Sequence, residues 1–223
     1  MAVKQTLEFL TNLSENNNRE WFNAHKNWYQ EEKDDFERLV TDLIGRVAEF
    51  DERVKYLKPS DCIYRIYRDV RFSSDKSPYK RHFAAYVCPE GGRRSKLAGY
   101  YLHLEPDNVM LSGGVYMLEP DMLKKVRMSV YANYDELETI LKNPYFVKYY
   151  NGKMVASESL KKVPAGFSPD FEGLEYLKFK NFMVEHHLSD KKASEIDLVS
   201  YAADAFKAQY DFNQFFNYTI ENE

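Results

Sequence analysis

Residues Arg65 to Phe83 read RIYRDVRFSSDKSPYKRHF, six Lys or Arg against two acids in a chain whose formal net charge is -4. Cations gathered in an otherwise acidic chain point to an oxyanion. Read as an extended strand, the segment places Arg65, Tyr67, Asp69 and Arg71 on one face and Ile66, Arg68, Val70 and Phe72 on the other, because side chains alternate. Ile66, Val70 and Phe72 then look toward a core. On the opposite face two guanidiniums flank one carboxylate, and Asp69 would orient them. The planar guanidinium fork suits this role, since its paired donors match phosphate or carboxylate oxygens. The loop adds Ser73, Ser74, Lys76, Ser77, Tyr79 and Lys80, and His82 stands at the start of the next strand. Hydroxyls, ammonium groups and free backbone amides together surround a tetrahedral oxyanion well. The competing reading is a buried Arg–Asp–Arg network that fixes the strand to a helical layer, with Lys76, Lys80 and Arg81 merely solvated.

A second constellation is Tyr101, His103 and Glu105, which share one strand face by period two. A His beside a carboxylate is a base with its orienter, although the polar face of any half-exposed antiparallel strand gives the same spacing. In an enzyme, Arg65 and Arg71 would hold the anion, Lys76 and Lys80 would close over it, and His103 or His82 would move a proton. His186 and His187 are adjacent and point apart in an extended segment, HExxH spacing is absent, and the two cysteines, Cys62 and Cys88, fit no metal pattern, so no metal site is expected. His25 reads as a partly buried residue between Trp21 and Trp28. Lys178 and Lys180 would supplement the anion site or guard a strand edge. The turn PEGGRRSK lacks both the P-loop ending and the dinucleotide fingerprint, and no GxSxG elbow occurs, so no cofactor is expected.

The elements that must carry these groups follow from the hydrophobic period. Leu7, Leu10 and Leu13 fit a short amphipathic helix. Trp21, Phe22, His25, Trp28 and Tyr29 follow an Asn-rich entry that can cap, and Phe36, Leu39, Val40, Leu43, Val47 and Phe50 mark a longer helix. From Cys62 to Tyr116 the pattern alternates, giving strands at Ile63–Phe72, Phe83–Cys88, Gly99–Glu105 and Val109–Tyr116. Connections this short make neighbours antiparallel. Helices return at Pro120 and after Asn143–Pro144, Leu174–Leu188 is open between strand and loop, and Asp197 to Phe216 reads as one C-terminal helix. The expected fold is α+β: one domain over residues 1–223, with a central antiparallel meander packed chiefly on one face by N- and C-terminal helices.

The motifs NNNREWFNAHKNWY, RIYRDVRFSSDKSPYK, GYYLHLEP, GGVYMLEPDMLKKVR and LKKVPAGF, in this order, resemble those of the microbial family known as domain of unknown function 2461. The resemblance runs from near the N-terminus to roughly Leu188. It implies a single domain of that family, brings no activity or cofactor, and marks Arg65, Arg68, Asp69, Arg71, Asp75, Lys76, Tyr79 and Lys80 as the centre of interest.

The 223 residues are 44% hydrophobic and 16% aromatic, an ordered composition with a core to bury. Lys and Arg number 31 against 35 Asp and Glu, which argues against a surface that coats nucleic acid or anionic membrane. With no run of signal-peptide or membrane-spanning length, a cytoplasmic protein is expected. Three partner classes stay open: a phosphorylated or carboxylated small molecule; single-stranded nucleic acid stacked on Tyr67, Tyr79, Tyr86 and Tyr100; or none, the charged network being structural.

Overall fold

The computed structural model describes residues 3–222. Helices α1 (Val3–Glu15), α2 (Arg19–Ala24) and α3 (Lys26–Val47) lead the chain. Asn18 caps α2 by accepting from the Trp21 N–H, as the Asn-rich entry suggests. The aromatic run is divided at His25, whose backbone leaves helical geometry between α2 and α3. Its ring takes up the Trp21 carbonyl at 2.8 Å and stacks on the Trp21 indole.

After the short α4 (Pro59–Cys62) come β1 (Phe83–Val87), β2 (Gly99–Leu104) and β3 (Val109–Val115). These three form the expected antiparallel meander. Helices α5 (Pro120–Ala132), α6 (Tyr134–Lys142) and α7 (Pro144–Tyr150) intervene before β4 (Phe182–Leu188) joins β3 antiparallel, completing the order β1-β2-β3-β4. The open stretch 174–188 thus resolves into a 3-10 turn at Tyr176–Lys178 and a strand, and the sheet extends beyond the 62–116 section expected to hold all of it. The chain ends in α8 (Asp190–Glu195), α9 (Leu198–Ala208) and α10 (Tyr210–Glu221). The single C-terminal helix read from Asp197 is therefore two, broken at Gln209.

Ile63–Phe72 is not a strand. It makes isolated bridges only, Ile63 to Ala85 and Tyr67 to Tyr79, and only Ile66 of its apolar residues is buried. Phe72, expected in the core, is 97% exposed. The reason lies in the return path. The chain folds back on itself, with the Arg68 N–H donating to the Pro78 carbonyl and the Lys80 N–H to the Ile66 carbonyl. Pro78 has no N–H to return, so the pairing cannot extend as a ladder.

One face of the sheet carries Phe83, Ala85 and Val87, then Tyr100, Leu102 and Leu104, then Leu111, Phe182 and Val184, all buried. The helices meet this face: Phe36 lies 5.4 Å from Phe83, Phe206 5.5 Å from Tyr100, and Phe216 5.3 Å from Phe182, ring centre to ring centre. Each such ring contributes about 2 kcal/mol through burial. Cys62 and Cys88 are buried free thiols, pushed up to about 12 and about 11 by desolvation. Neither is a nucleophile at neutral pH. No described helix is long and apolar enough to cross a membrane.

Buried and partly buried phenols should make the fold alkali-sensitive. Desolvation raises Tyr29 to about 12 and holds Tyr100 and Tyr150 well above their ordinary value. A phenol whose folded value exceeds its unfolded one contributes stability that is complete below about pH 10. That stability is lost as pH rises toward the folded value, at about 1.4 kcal/mol per pH unit for each tyrosine. Unfolding free energy should therefore drop steeply above about pH 10, with phenolate absorbance and loss of far-ultraviolet ellipticity appearing together. Full titration of the tyrosines with the fold intact would contradict this.

Candidate functional site

The second face of the sheet is polar, and its chemistry concentrates at the β1 end. Tyr101, His103 and Glu105 project together from β2 and its end, as period two requires. The Tyr101 hydroxyl meets His103 Nδ1 at 2.9 Å, and His103 Nε2 meets Glu105 Oε2 at 3.1 Å. Asn108 donates to the same Glu105 oxygen at 3.3 Å. One neutral tautomer serves both ring contacts, with Nε2–H donated to Glu105 and the Tyr101 O–H donated to Nδ1. His103 is 7% exposed.

Register then brings in a residue from another strand. Ala84 pairs with His103 and Phe83 with Leu104, so His82, just ahead of β1, falls on the same face as Ala84, diagonal to His103. Ala84 offers only a methyl across from His103, and the two imidazoles approach to 4.4 Å between ring centres. One ligand atom from each of His82, His103 and Glu105 lies within 4.8 Å of the others. Burial, and then the neighbouring His103 and Lys80, pulls His82 down to about 4. Burial also lowers His103, outweighing the attraction of Glu105. Burial alone would raise Glu105, but the hydrogen bonds from His103 and Asn108 prevail and hold it low. A neutral imidazole held between hydroxyl and carboxylate can relay a proton between those two partners.

The segment that fails to form a strand forms the rim of this cluster. The Tyr64 N–H donates to the Ala84 carbonyl, which sets the Tyr64 ring edge-on to Tyr101 at 6.3 Å. Lys80 Nζ lies 5.2 Å from the centre of the Tyr64 ring, and burial followed by repulsion from Arg65 lowers the ammonium. Among the described residues, neither Arg65 nor Lys80 forms an ion pair or hydrogen bond through its side chain.

The other members of the basic stretch are occupied by their own loop. Arg71 pairs bidentately with Asp69, Nε at 3.0 Å and Nη2 at 2.7 Å, and this pair is exposed rather than set on a β-face. These hydrogen bonds, more than the field of Arg65, hold the Asp69 carboxyl low. Arg68, placed on the core side by alternation, instead reaches Asp75 at 2.6 Å and the Ser77 carbonyl at 3.0 Å. Lys76 donates to the Val70 carbonyl. Tyr79 is buried and stacks on Phe22 at 3.9 Å. Of the expected site residues, His82 and His103 come together with Lys80 near His82 and Arg65 near Lys80, while Arg68, Asp69, Arg71, Lys76 and Tyr79 tie the loop and anchor it to α2.

Glu105 and Tyr101 complete the cluster, and Tyr64 is the member that sequence reading overlooked; its position depends on one backbone bond to β1 that has no signature in residue type. Tyr79 and Tyr100 are core residues, and the Tyr86 hydroxyl donates to the Leu97 carbonyl, which leaves Tyr67 alone of the four proposed stacking rings exposed. His186 turns to the helices, between the Tyr149 carbonyl and the Tyr201 hydroxyl, and His187 lies on the polar face beside Glu185. Lys178 and Lys180 pair with Glu175 and Glu158 at the surface.

A four-stranded antiparallel sheet with helices on one face and an imidazole–carboxylate cluster on the other defines an α+β protein. The chain belongs to the family of conserved hypothetical proteins DUF2461, whose model matches residues 5–215. The match takes in α9 and the first half of α10, beyond the stretch in which the motifs are recognisable by eye. No curated protein and no solved structure gives a significant match.

Proposed function

We propose that the protein binds a small phosphate- or carboxylate-bearing molecule at the rim of the polar sheet face, gripped by Arg65 and Lys80. The observation that carries this reading is the pair of cations that repel each other with no carboxylate bound to either. An oxyanion placed between them removes that repulsion and gains charge-assisted hydrogen bonds. The ligand would then sit beside His82 and His103.

The test is thermal unfolding in inorganic phosphate, pyrophosphate and citrate, against sodium chloride of equal ionic strength. A ligand at one hundred times its Kd stabilises by about 2.7 kcal/mol, a rise of several degrees for a chain of this size. Arg65→Gln and Lys80→Gln should abolish the rise while leaving the ligand-free Tm within about 2 °C, as expected for side chains that make no ion pair or hydrogen bond. No rise with any of the three anions, or a rise that both variants retain, would overturn the reading.

A further inference from the structure

We propose that His82, His103 and Glu105 form a binding site for a single divalent transition-metal ion. The inference is independent of the anion reading, since none of Arg65, Lys80 and Arg71 is a ligand to the ion. Two imidazole nitrogens and one carboxylate oxygen lie within 4.8 Å of one another. Bonds of about 2.0–2.2 Å to a common ion require ligand atoms about 3–4 Å apart. His103 Nε2 and Glu105 Oε2 already stand at 3.1 Å, and the His82 ring, now 4.4 Å from that of His103 and tilted 34° to it, must turn its nitrogen toward them to close the set.

The surroundings are those of a prepared site. A ligating histidine needs its other nitrogen fixed by a partner, and the Tyr101 hydroxyl is in place at His103 Nδ1. Moving the imidazole proton from Nε2 to Nδ1, where the Tyr101 oxygen accepts it, frees Nε2 for the ion without moving an atom of the framework. Asn108 restrains the carboxylate in the same way. Glu105 is the only acid in the set, and Lys80 and Arg81 add positive charge nearby, so the ion must gain its affinity from nitrogen coordination. That composition favours zinc, cobalt or nickel over calcium and magnesium, which take oxygen ligands. Three protein ligands leave at least one coordination position open to water or a ligand oxygen.

Isothermal titration of chelator-treated protein with zinc chloride in phosphate-free buffer is expected to give one ion per chain with micromolar or tighter Kd, and cobalt(II) should show the visible bands of a low-symmetry nitrogen–oxygen site. Glu105→Gln, nearly isosteric, and His82→Ala should each weaken zinc at least tenfold, with their metal-free Tm read alongside to confirm folding. Tyr101→Phe should weaken it about tenfold by releasing the orienting contact. His187→Ala, on the same face beside Glu185 but outside the triad, should bind as the parent does. Zinc bound with unchanged affinity by folded Glu105→Gln, or binding lost on His187→Ala, or no binding at all, would overturn the assignment. Because the buffer holds no phosphate and the anion experiment holds no metal, failure of one leaves the other standing.

Discussion

Gly114→Ala is expected to lower stability by at least about 3 kcal/mol and the Tm by roughly 6–12 °C. Gly114 has φ +108°, where any side chain is strained, and a Cβ there would lie 2.1 Å from the Phe182 carbonyl oxygen and 3.0 Å from the Met183 Cα. Both are backbone atoms of the paired strand, since Gly114 faces Met183 in the β3–β4 register. Nothing flexible can yield, so the strands must part locally. Gly166 gives the comparison: its φ is +99° but nothing lies within 4 Å of its would-be Cβ. Gly166→Ala therefore incurs only the conformational term, about 1–2 kcal/mol. Urea unfolding of the two variants separates the clash from the dihedral strain. Equal losses would mean that dihedral strain alone, and not the close approach of β3 and β4, sets the cost at Gly114.

Asn217→Leu is expected to be nearly as damaging. The Asn217 side chain accepts from the Ala98 N–H at 2.6 Å and donates to the Ala98 carbonyl at 3.1 Å, so α10 completes the hydrogen bonding of the chain entering β2. All of these atoms are buried, and a leucine, alike in branching though larger, leaves both backbone groups unpaired, at about 1–3 kcal/mol each. Asn213→Leu should cost less. The carbonyl it serves, that of Gly99, also accepts from Gln209 at 3.1 Å, and one donor remains after the substitution. Guanidinium unfolding should rank Asn217→Leu at least about 2 kcal/mol below Asn213→Leu. The reverse order would show that α10 does not bind the sheet through this ladder of amides.

Asn217 also shows why parts of the fold are legible in sequence and parts are not. The β1–β3 meander is readable because its alternation is strong and its connections are short. Gln209, by contrast, fits the apolar stripe of a long C-terminal helix by spacing, yet it is where α9 ends. It lies buried because its amide serves Gly99 and its oxygen accepts from Tyr150 at 2.6 Å. That is a tertiary reason with no local sign. β4 is hidden for a similar cause: its partner β3 lies across three helices, and His186 stands in its apolar row, satisfied only by Tyr149 and Tyr201.

The candidate site divides the same way. Tyr101, His103 and Glu105 are visible by period two, because all three belong to one strand and its end. His82 joins them only through the β1–β2 register, and the connection between those strands is too long for turn type to fix it. The basic stretch misleads for an energetic reason. Alternation in Arg65–Phe72 is regular enough for a strand, but Arg68 finds Asp75, Arg71 finds Asp69 and Lys76 finds the Val70 carbonyl, all within a few residues. Local ion pairs and hydrogen bonds satisfy the segment without a ladder, and Phe72 is left in solvent.

The one-sided packing of the sheet separates two kinds of constraint along β2. Tyr100, Leu102 and Leu104 face the helices and must keep their shapes, whereas Tyr101, His103 and Glu105 lie outside that hydrophobic layer. Substituting the odd-numbered positions alters the polar face without asking the helix-packed layer to repack. A strand of this kind lets one row of side chains vary while the architecture stays fixed, and it makes the polar face a natural place to graft designed ligand sets onto this scaffold.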